Sequence, residues 1–251
     1  MVFAQRSSAL LLTKGNNKLG KVWCFSLPAV KTCPGRTPTC ERECYARSGR
    51  YRTSSVINSV LRSLDWAKKI IFVALMITEI RMFRCPTVRI HVSGDFYSAR
   101  YVRRWMSIAK KCPETRFYAY TRSWRVPEIR DILEEFSKMS NVQLFYSADR
   151  DSGKPTKISR SIRIAYLISE AGERVPHWAD LVFRTRGAKK EGKAIRINGV
   201  LVCPMENGRH WDGSCEQCGL CLSGLGNKDV RKFRQKMDDR STGRIPLRLA
   251  V

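Results

Sequence analysis

Between Val88 and Tyr146 the apolar residues of this chain switch back and forth between a two-residue and a 3.6-residue period. Val88-Arg89-Ile90-His91-Val92 reads as a strand. Ala99 to Lys111 reads as a helix, with Val102, Trp105, Met106, Ile108 and Ala109 on one face. Arg116 to Tyr120 is the next strand. Pro127 then opens a second helix, whose apolar stripe is Ile129, Ile132, Leu133 and Phe136. Val142 to Tyr146 is a third strand. Strands that recur about every 26 residues with helices between them are βα units, and such units build a parallel sheet.

The flanking segments extend the pattern. Val22 to Leu27 and Leu181 to Arg184 read as further strands, Ile162 to Ile168 as strand or helix with the alternation of Ile162, Ile164 and Tyr166 favouring strand, and Ser54 to Phe83 as a long helical stretch broken once. Ile195 to Val202, with Asn198-Gly199 in its middle, reads as a β-hairpin. Six or seven strands in an α/β chain point to a full or partial (β/α) barrel, with an open doubly wound sheet as the alternative. No Gly/Ser-rich or Pro-rich linker divides residues 1–251, so a single domain is expected, with Cys-rich segments at 24–46 and 203–221. In a barrel, the strands' C-terminal ends carry the functional residues.

With 43% hydrophobic and 10% aromatic residues the chain can fill a core, which argues against disorder. Its 47 Lys and Arg against 22 Asp and Glu leave a formal net charge of +25. An excess that large implies a polyanionic partner, DNA or RNA before an anionic membrane surface or an acidic protein. The longest apolar run, Ile70 to Ile77, is too short to span a bilayer, and Ala9 to Leu12 has no cleavage site after it. A cytoplasmic protein without a membrane partner is therefore expected. In that reducing compartment ten cysteines read as metal or cluster ligands rather than disulfides.

Four of them, Cys203, Cys215, Cys218 and Cys221, have the spacing C-x11-C-x2-C-x2-C. Two successive short gaps let the backbone curl round a [4Fe–4S] cluster. Four thiolates also suit a structural zinc ion, although zinc sites usually come as two separated pairs. A second set, Cys33, Cys40 and Cys44, has the spacing C-x6-C-x3-C. Three thiolates leave one iron open unless Cys24 closes the site. One cluster or two, or one site shared by both segments, are all compatible with the spacing. Cys85 and Cys112 stand alone before prolines and read as buried thiols. His210 lies near Cys215, but four thiolates suffice without it. With three histidines there is no His-based zinc catalytic site, and no P-loop, dinucleotide fingerprint or nucleophile elbow appears.

Ser93-Gly94-Asp95-Phe96 ends a strand. Asp95 there is either a catalytic or ligand-binding carboxylate or a brace for the turn, with Ser98 capping the following helix. Past the other strand ends stand Arg122, Trp124 and Arg125, then Arg150, then Arg184 and Arg186. Arginines beside an aromatic hold phosphates and stack bases, so these six are the candidate nucleic-acid contacts.

Lys31-Thr32-Cys33-Pro34-Gly35, Cys44-Tyr45-Ala46, Val92 to Phe96 and Tyr118-Ala119-Tyr120-Thr121 together resemble the phage and plasmid gene-product-88 family. The Cys33, Cys40, Cys44 segment, Ser93 to Phe96 and Thr121-Arg122 are also similar to phage proteins related to radical-SAM barrels. The resemblance covers residues 20 to 150. It implies a mobile-element origin and a radical-SAM-like barrel. The cysteine spacing departs from the C-x3-C-x2-C of enzymes that cleave S-adenosylmethionine, so that cofactor is not expected. The first expectation is thus an iron–sulfur protein of a phage or plasmid that binds nucleic acid, its cluster structural or redox-sensing. A cluster-dependent radical enzyme is the second, and a zinc-stabilised nucleic-acid-binding module the third.

Overall fold

The structure, a computed structural model, describes residues 10–16, 18–156, 159–191, 194–206 and 214–222. Its centre is a seven-stranded sheet in sequential order: β1 (Thr13–Lys14), β2 (Trp23–Phe25), β3 (Thr87–Ile90), β4 (Arg116–Thr121), β5 (Val142–Ala148), β6 (Arg163–Ile168) and β7 (Leu181–Arg184). β2 to β7 are parallel, and only β1 is antiparallel to its neighbour. A separate two-stranded hairpin, β8 (Arg196–Ile197) and β9 (Val200–Leu201), turns at Asn198 and Gly199, both at positive φ as its turn requires.

The helices between the strands are α1 (Pro38–Arg42), α2 (Ser54–Lys68), α3 (Phe72–Met82), α4 (Ala99–Lys111) and α5 (Pro127–Phe136). α4 starts where Ser98 Oγ accepts the Tyr101 amide, and ends with Lys110 and Lys111 near its negative pole. Tyr101, Val102, Trp105, Ile108 and Ala109 are its buried residues, one stripe of a 3.6-residue repeat. α5 has Pro127 in its first turn and buries Ile129, Ile132, Leu133 and Phe136.

α2 to α5 pack on one face of the sheet. Phe25, Val88, Ile90, Phe117, Ala119, Leu144 and Tyr146 meet them there. Phe25 and Phe72 lie against the Trp105 ring, at 5.5 and 5.8 Å between centroids. Each such side chain contributes about 1.5–3 kcal/mol by leaving water.

Strand alternation sends Cys24, Tyr118, Phe145, Ala165 and Leu181 to the other face, where Cys203, Cys218 and Leu220 cover part of them. A closed barrel is not formed. β1 and β7 are the two edges, and β7 is met beyond only by a single bridge from Val182 to Val202. Nor is the sheet doubly wound, since the strand-connecting helices that pack on the sheet share one face. Among the described residues no helix is long and apolar enough to cross a membrane.

Candidate functional site

The C-terminal edge of the parallel strands is where the sequence-expected residues converge. β3 ends because His91 turns into the left-handed region at φ 65°. The chain then crosses to the end of β2, with Ser93 Oγ donating to the Leu27 carbonyl and Leu27 N to that of Ser93. Gly94 makes the crossing possible. Its φ is 77°, and a Cβ there would stand 2.6 Å from both Leu27 Cβ and Thr32 Oγ1.

Asp95 is thereby buried with every near donor spoken for. Oδ1 accepts from Thr121 Oγ1 at 2.6 Å and from the Phe96 amide at 2.7 Å, and Oδ2 from the Arg122 amide at 2.8 Å. Burial holds its carboxyl above the usual range, and these bonds work against that rise. Asp95 ties β3 to β4.

The segment Cys33–Cys44 docks on the neighbouring strand ends. Thr37 caps α1, accepting the Cys40 amide at 3.0 Å, and donates to Asp149 Oδ2 at 2.6 Å. Asp149, fully buried after β5, also lies 2.6 Å from Arg122 Nη1, an ion pair whose N–H directions are not aligned as a hydrogen bond. Asp151 accepts the Thr39 amide, and Arg125 Nη1 donates to the Gly35 and Arg36 carbonyls. Gly35 lies so close to β4 that a Cβ would stand 2.0 Å from the Arg122 carbonyl. Only glycine fits there.

This docking brings Cys33, Cys40 and Cys44 together as one half-buried group beside Asp95 and Arg122. Burial pushes the Cys33 thiol up to about 12, with Asp95 and the other two thiols adding to the rise. Cys40 is also raised by burial, against the pull of Arg122. Such thiols keep their protons near neutral pH and are poor free nucleophiles. They suit a cation that displaces the protons and supplies the missing positive charge.

The second thiol group lies on the open face of the sheet. Cys203 follows β9, and α6 (Cys215–Cys218) is a single helical turn anchored by the Cys215 amide on the Lys18 carbonyl at 2.7 Å. Tyr120, projecting from β4, has its hydroxyl 2.8 Å from Cys221 Sγ. Burial raises Cys203 well above the ordinary thiol range and Cys221 to about 12, and raises Cys215 against Lys18 and Arg89. Cys24 packs with this group, beside Cys215 and Cys221, and burial raises it to about 11. Cys85 and Cys112 are buried in the helix-side core, as their isolation suggested. By residue type both groups fit a thiolate-bound metal or cluster. Among the described residues no three His, Cys, Asp or Glu side chains stand close enough together to hold a single metal ion directly. His210 lies outside the described residues.

Three of the six candidate nucleic-acid residues are less open than their sequence positions suggested. Arg122, Trp124 and Arg184 are buried, and Trp124 Nε1 donates to the Ser147 carbonyl. Arg125 holds the cysteine loop, and Arg150 pairs with Glu170 at 2.7 Å. Arg186 is exposed. Alternation alone could have revealed one residue the sequence reading passed over. Arg89 shares the inward face with Tyr118 and Tyr120, its guanidinium 6.0 and 5.6 Å from their ring centroids.

The Gene product 88 family profile matches residues 6–224. The chain belongs to that family. Among its relatives are the Gene 88 proteins of Mycobacterium phages D29 and L5, each 28% identical to it. The D29 alignment covers 85% of this chain and 88% of the relative, and the L5 alignment 86% and 90%. No solved structure matches the chain. The family match takes in both cysteine groups and the strand ends between them.

Proposed function

We propose that this phage-family chain is an iron–sulfur protein that binds nucleic acid. The observation that carries the reading is the gathering of Cys33, Cys40 and Cys44, distant from the other four in sequence, into one half-buried group at the strand ends. The spacing of Cys203, Cys215, Cys218 and Cys221 supports a [4Fe–4S] cluster over the open sheet face, with Tyr120 beside Cys221. The net charge of +25 supports DNA or RNA as the partner. Cluster and protein would be linked thermodynamically, because thiols that burial keeps protonated become ligands only when iron arrives.

A second reading is favoured by one observation. Cys24 packs with the C-terminal group, so nothing else supplies a fourth thiol to Cys33, Cys40 and Cys44 among the described residues. A cluster there would keep one iron free for a small molecule. Together with the sequential parallel strands and the helices on one face, this supports a cluster-dependent enzyme on a partial, radical-SAM-like barrel.

The test is iron and sulfide analysis of anaerobically purified protein. Cys218→Ala and Cys40→Ala are each expected to lose a share of both, while Cys112→Ala keeps them. Full iron and sulfide in Cys218→Ala would remove the C-terminal assignment, and zinc without sulfide would favour the zinc-stabilised module. S-adenosylmethionine added to the reduced protein separates the two readings. An unchanged electron paramagnetic resonance signal is expected for the first, and a perturbed one for the second.

A further inference from the structure

Close to the thiols, exposed positive charge stands on the cysteine loop itself as well as on Arg125 beyond β4. From Lys31 to Thr53 the chain holds six basic and two acidic residues, a local net charge of +4. Arg42, Arg47, Arg50 and Arg52 are all exposed there. Glu41 and Glu43 offset part of this charge: Glu41 lies 3.7 Å from Arg47, and Glu43 3.0 Å from Arg42. Neither Arg50 nor Arg52 has an ion-pair partner among the described residues. A cleft of about 750 Å³ on the same surface is lined in part by Arg42 and Arg47.

Tyr45 stands among these arginines, 55% exposed. Its hydroxyl nevertheless donates to the Val92 carbonyl, and the Tyr51 ring packs against it edge-on, 5.8 Å between centroids. An open aromatic ring held at both its tip and its edge has little rotamer freedom left to lose on binding. The geometry points to a single-stranded nucleic acid lying across residues 42–52, one base stacked on Tyr45 and its phosphates on Arg47, Arg50 and Arg52. A single strand is required, because stacking needs a base face that a duplex hides, whereas the guanidinium groups take the phosphates of any sequence. The inference rests on the nucleic-acid part of the proposed function and locates it. Because Cys44 immediately precedes Tyr45, a strand held there runs past the three-thiol group.

Fluorescence anisotropy with a labelled oligo(dT) strand, and with a duplex of the same length, tests this on the full, anaerobically purified chain. Tyr45→Ala is expected to weaken single-strand binding roughly tenfold, while Tyr45→Phe, which keeps the ring, stays within about threefold of the parent. The pair Arg50→Glu and Arg52→Glu should weaken it by tenfold or more and reduce the salt slope by about two. Lys110→Glu with Lys111→Glu, the same charge change at the far end of α4, should have a much smaller effect. If the parent binds the strand and both loop variants bind equally well, with unchanged far-ultraviolet circular dichroism, this surface is wrong and nucleic-acid binding stands. Tighter binding of the duplex would also overturn it. If the parent binds neither probe at low salt, the nucleic-acid reading itself falls.

Discussion

His91 shows how much one side chain can commit at a strand end. It adopts φ 65°, is buried, and has Nε2 3.0 Å from the Tyr101 hydroxyl. Burial, with the Arg89 charge adding to it, pushes its pKa down to about 3 from an ordinary 6.5. The folded chain therefore keeps a neutral imidazole while the unfolded chain takes up a proton below about pH 6.5. Stability from this residue is complete above that pH and is lost as pH falls toward 3, at about 1.4 kcal/mol per unit once the unfolded form is charged. Asparagine tolerates the left-handed region, so His91→Asn should fold. Urea midpoints of parent and variant between pH 6.5 and 5.5 provide the check, above the range where most carboxylates titrate. The parent should lose stability with falling pH more steeply than the variant, and equal slopes would rule the account out. Histidine is enriched among non-glycine residues in the left-handed region, but most histidines lie elsewhere, so Val88-Arg89-Ile90-His91-Val92 does not by itself signal this turn. The period of two runs through it unbroken.

At the scale of elements, the boundaries of α4 and α5 were legible because each carries its own start signal, Ser98 and Pro127. The break between α2 and α3 was legible only as a break, and β1 not at all. β1 is two exposed residues held by what precedes it. Glu79, buried on α3, accepts the Leu11 amide with both oxygens, at 2.9 and 3.0 Å, and the Leu12 amide with Oε2 at 2.8 Å. A carboxylate on a helix cannot be matched from sequence to two amides 68 and 67 residues away. Glu79→Ala should leave two buried N–H groups without acceptors and cost about 2–3 kcal/mol. Hydrogen exchange is the direct measurement. The Leu11 and Leu12 amides should exchange much faster in the variant while the Ile90 and Ala119 amides stay protected. Unchanged protection at Leu11 would show that other contacts hold the segment.

For the whole molecule the two cysteine groups set the expectation. Without a metal, Cys33, Cys203 and Cys221 stay neutral thiols, Cys203 buried and the other two half-buried, and packing alone must hold the loops that carry them. If the proposed cluster is bound, removing its iron from the anaerobically purified protein with a chelator should lower the thermal midpoint by several degrees. It should also expose the loop around Cys33 to Cys44 to proteolysis, because ligation energy is folding energy. A midpoint that does not move would mean the sheet carries these loops unaided.

Two things were determined by sequence alone. Local periodicity set the order and type of the elements from Val88 to Tyr146, because a helix stripe and a strand alternation need only near neighbours to declare themselves. Cysteine spacing picked out two groups of thiols for the same reason, and the fold keeps them apart as two groups. Tertiary structure decided the rest. Whether consecutive βα units close into a barrel depends on how β1 and β7 meet, and here they remain separate edges. Which arginines face water depends on what packs over them. Asp149 draws Arg122 inward, whereas Arg125, though it engages Gly35 and Arg36, stays exposed with Arg50 and Arg52. Cys24 joins the C-terminal thiols instead of the nearer Cys33 because alternation in β2 turns its side chain onto the open face of the sheet, where Cys215 and Cys221 lie. Contacts of that kind are made between residues far apart in the chain, and only the folded sheet brings them within reach.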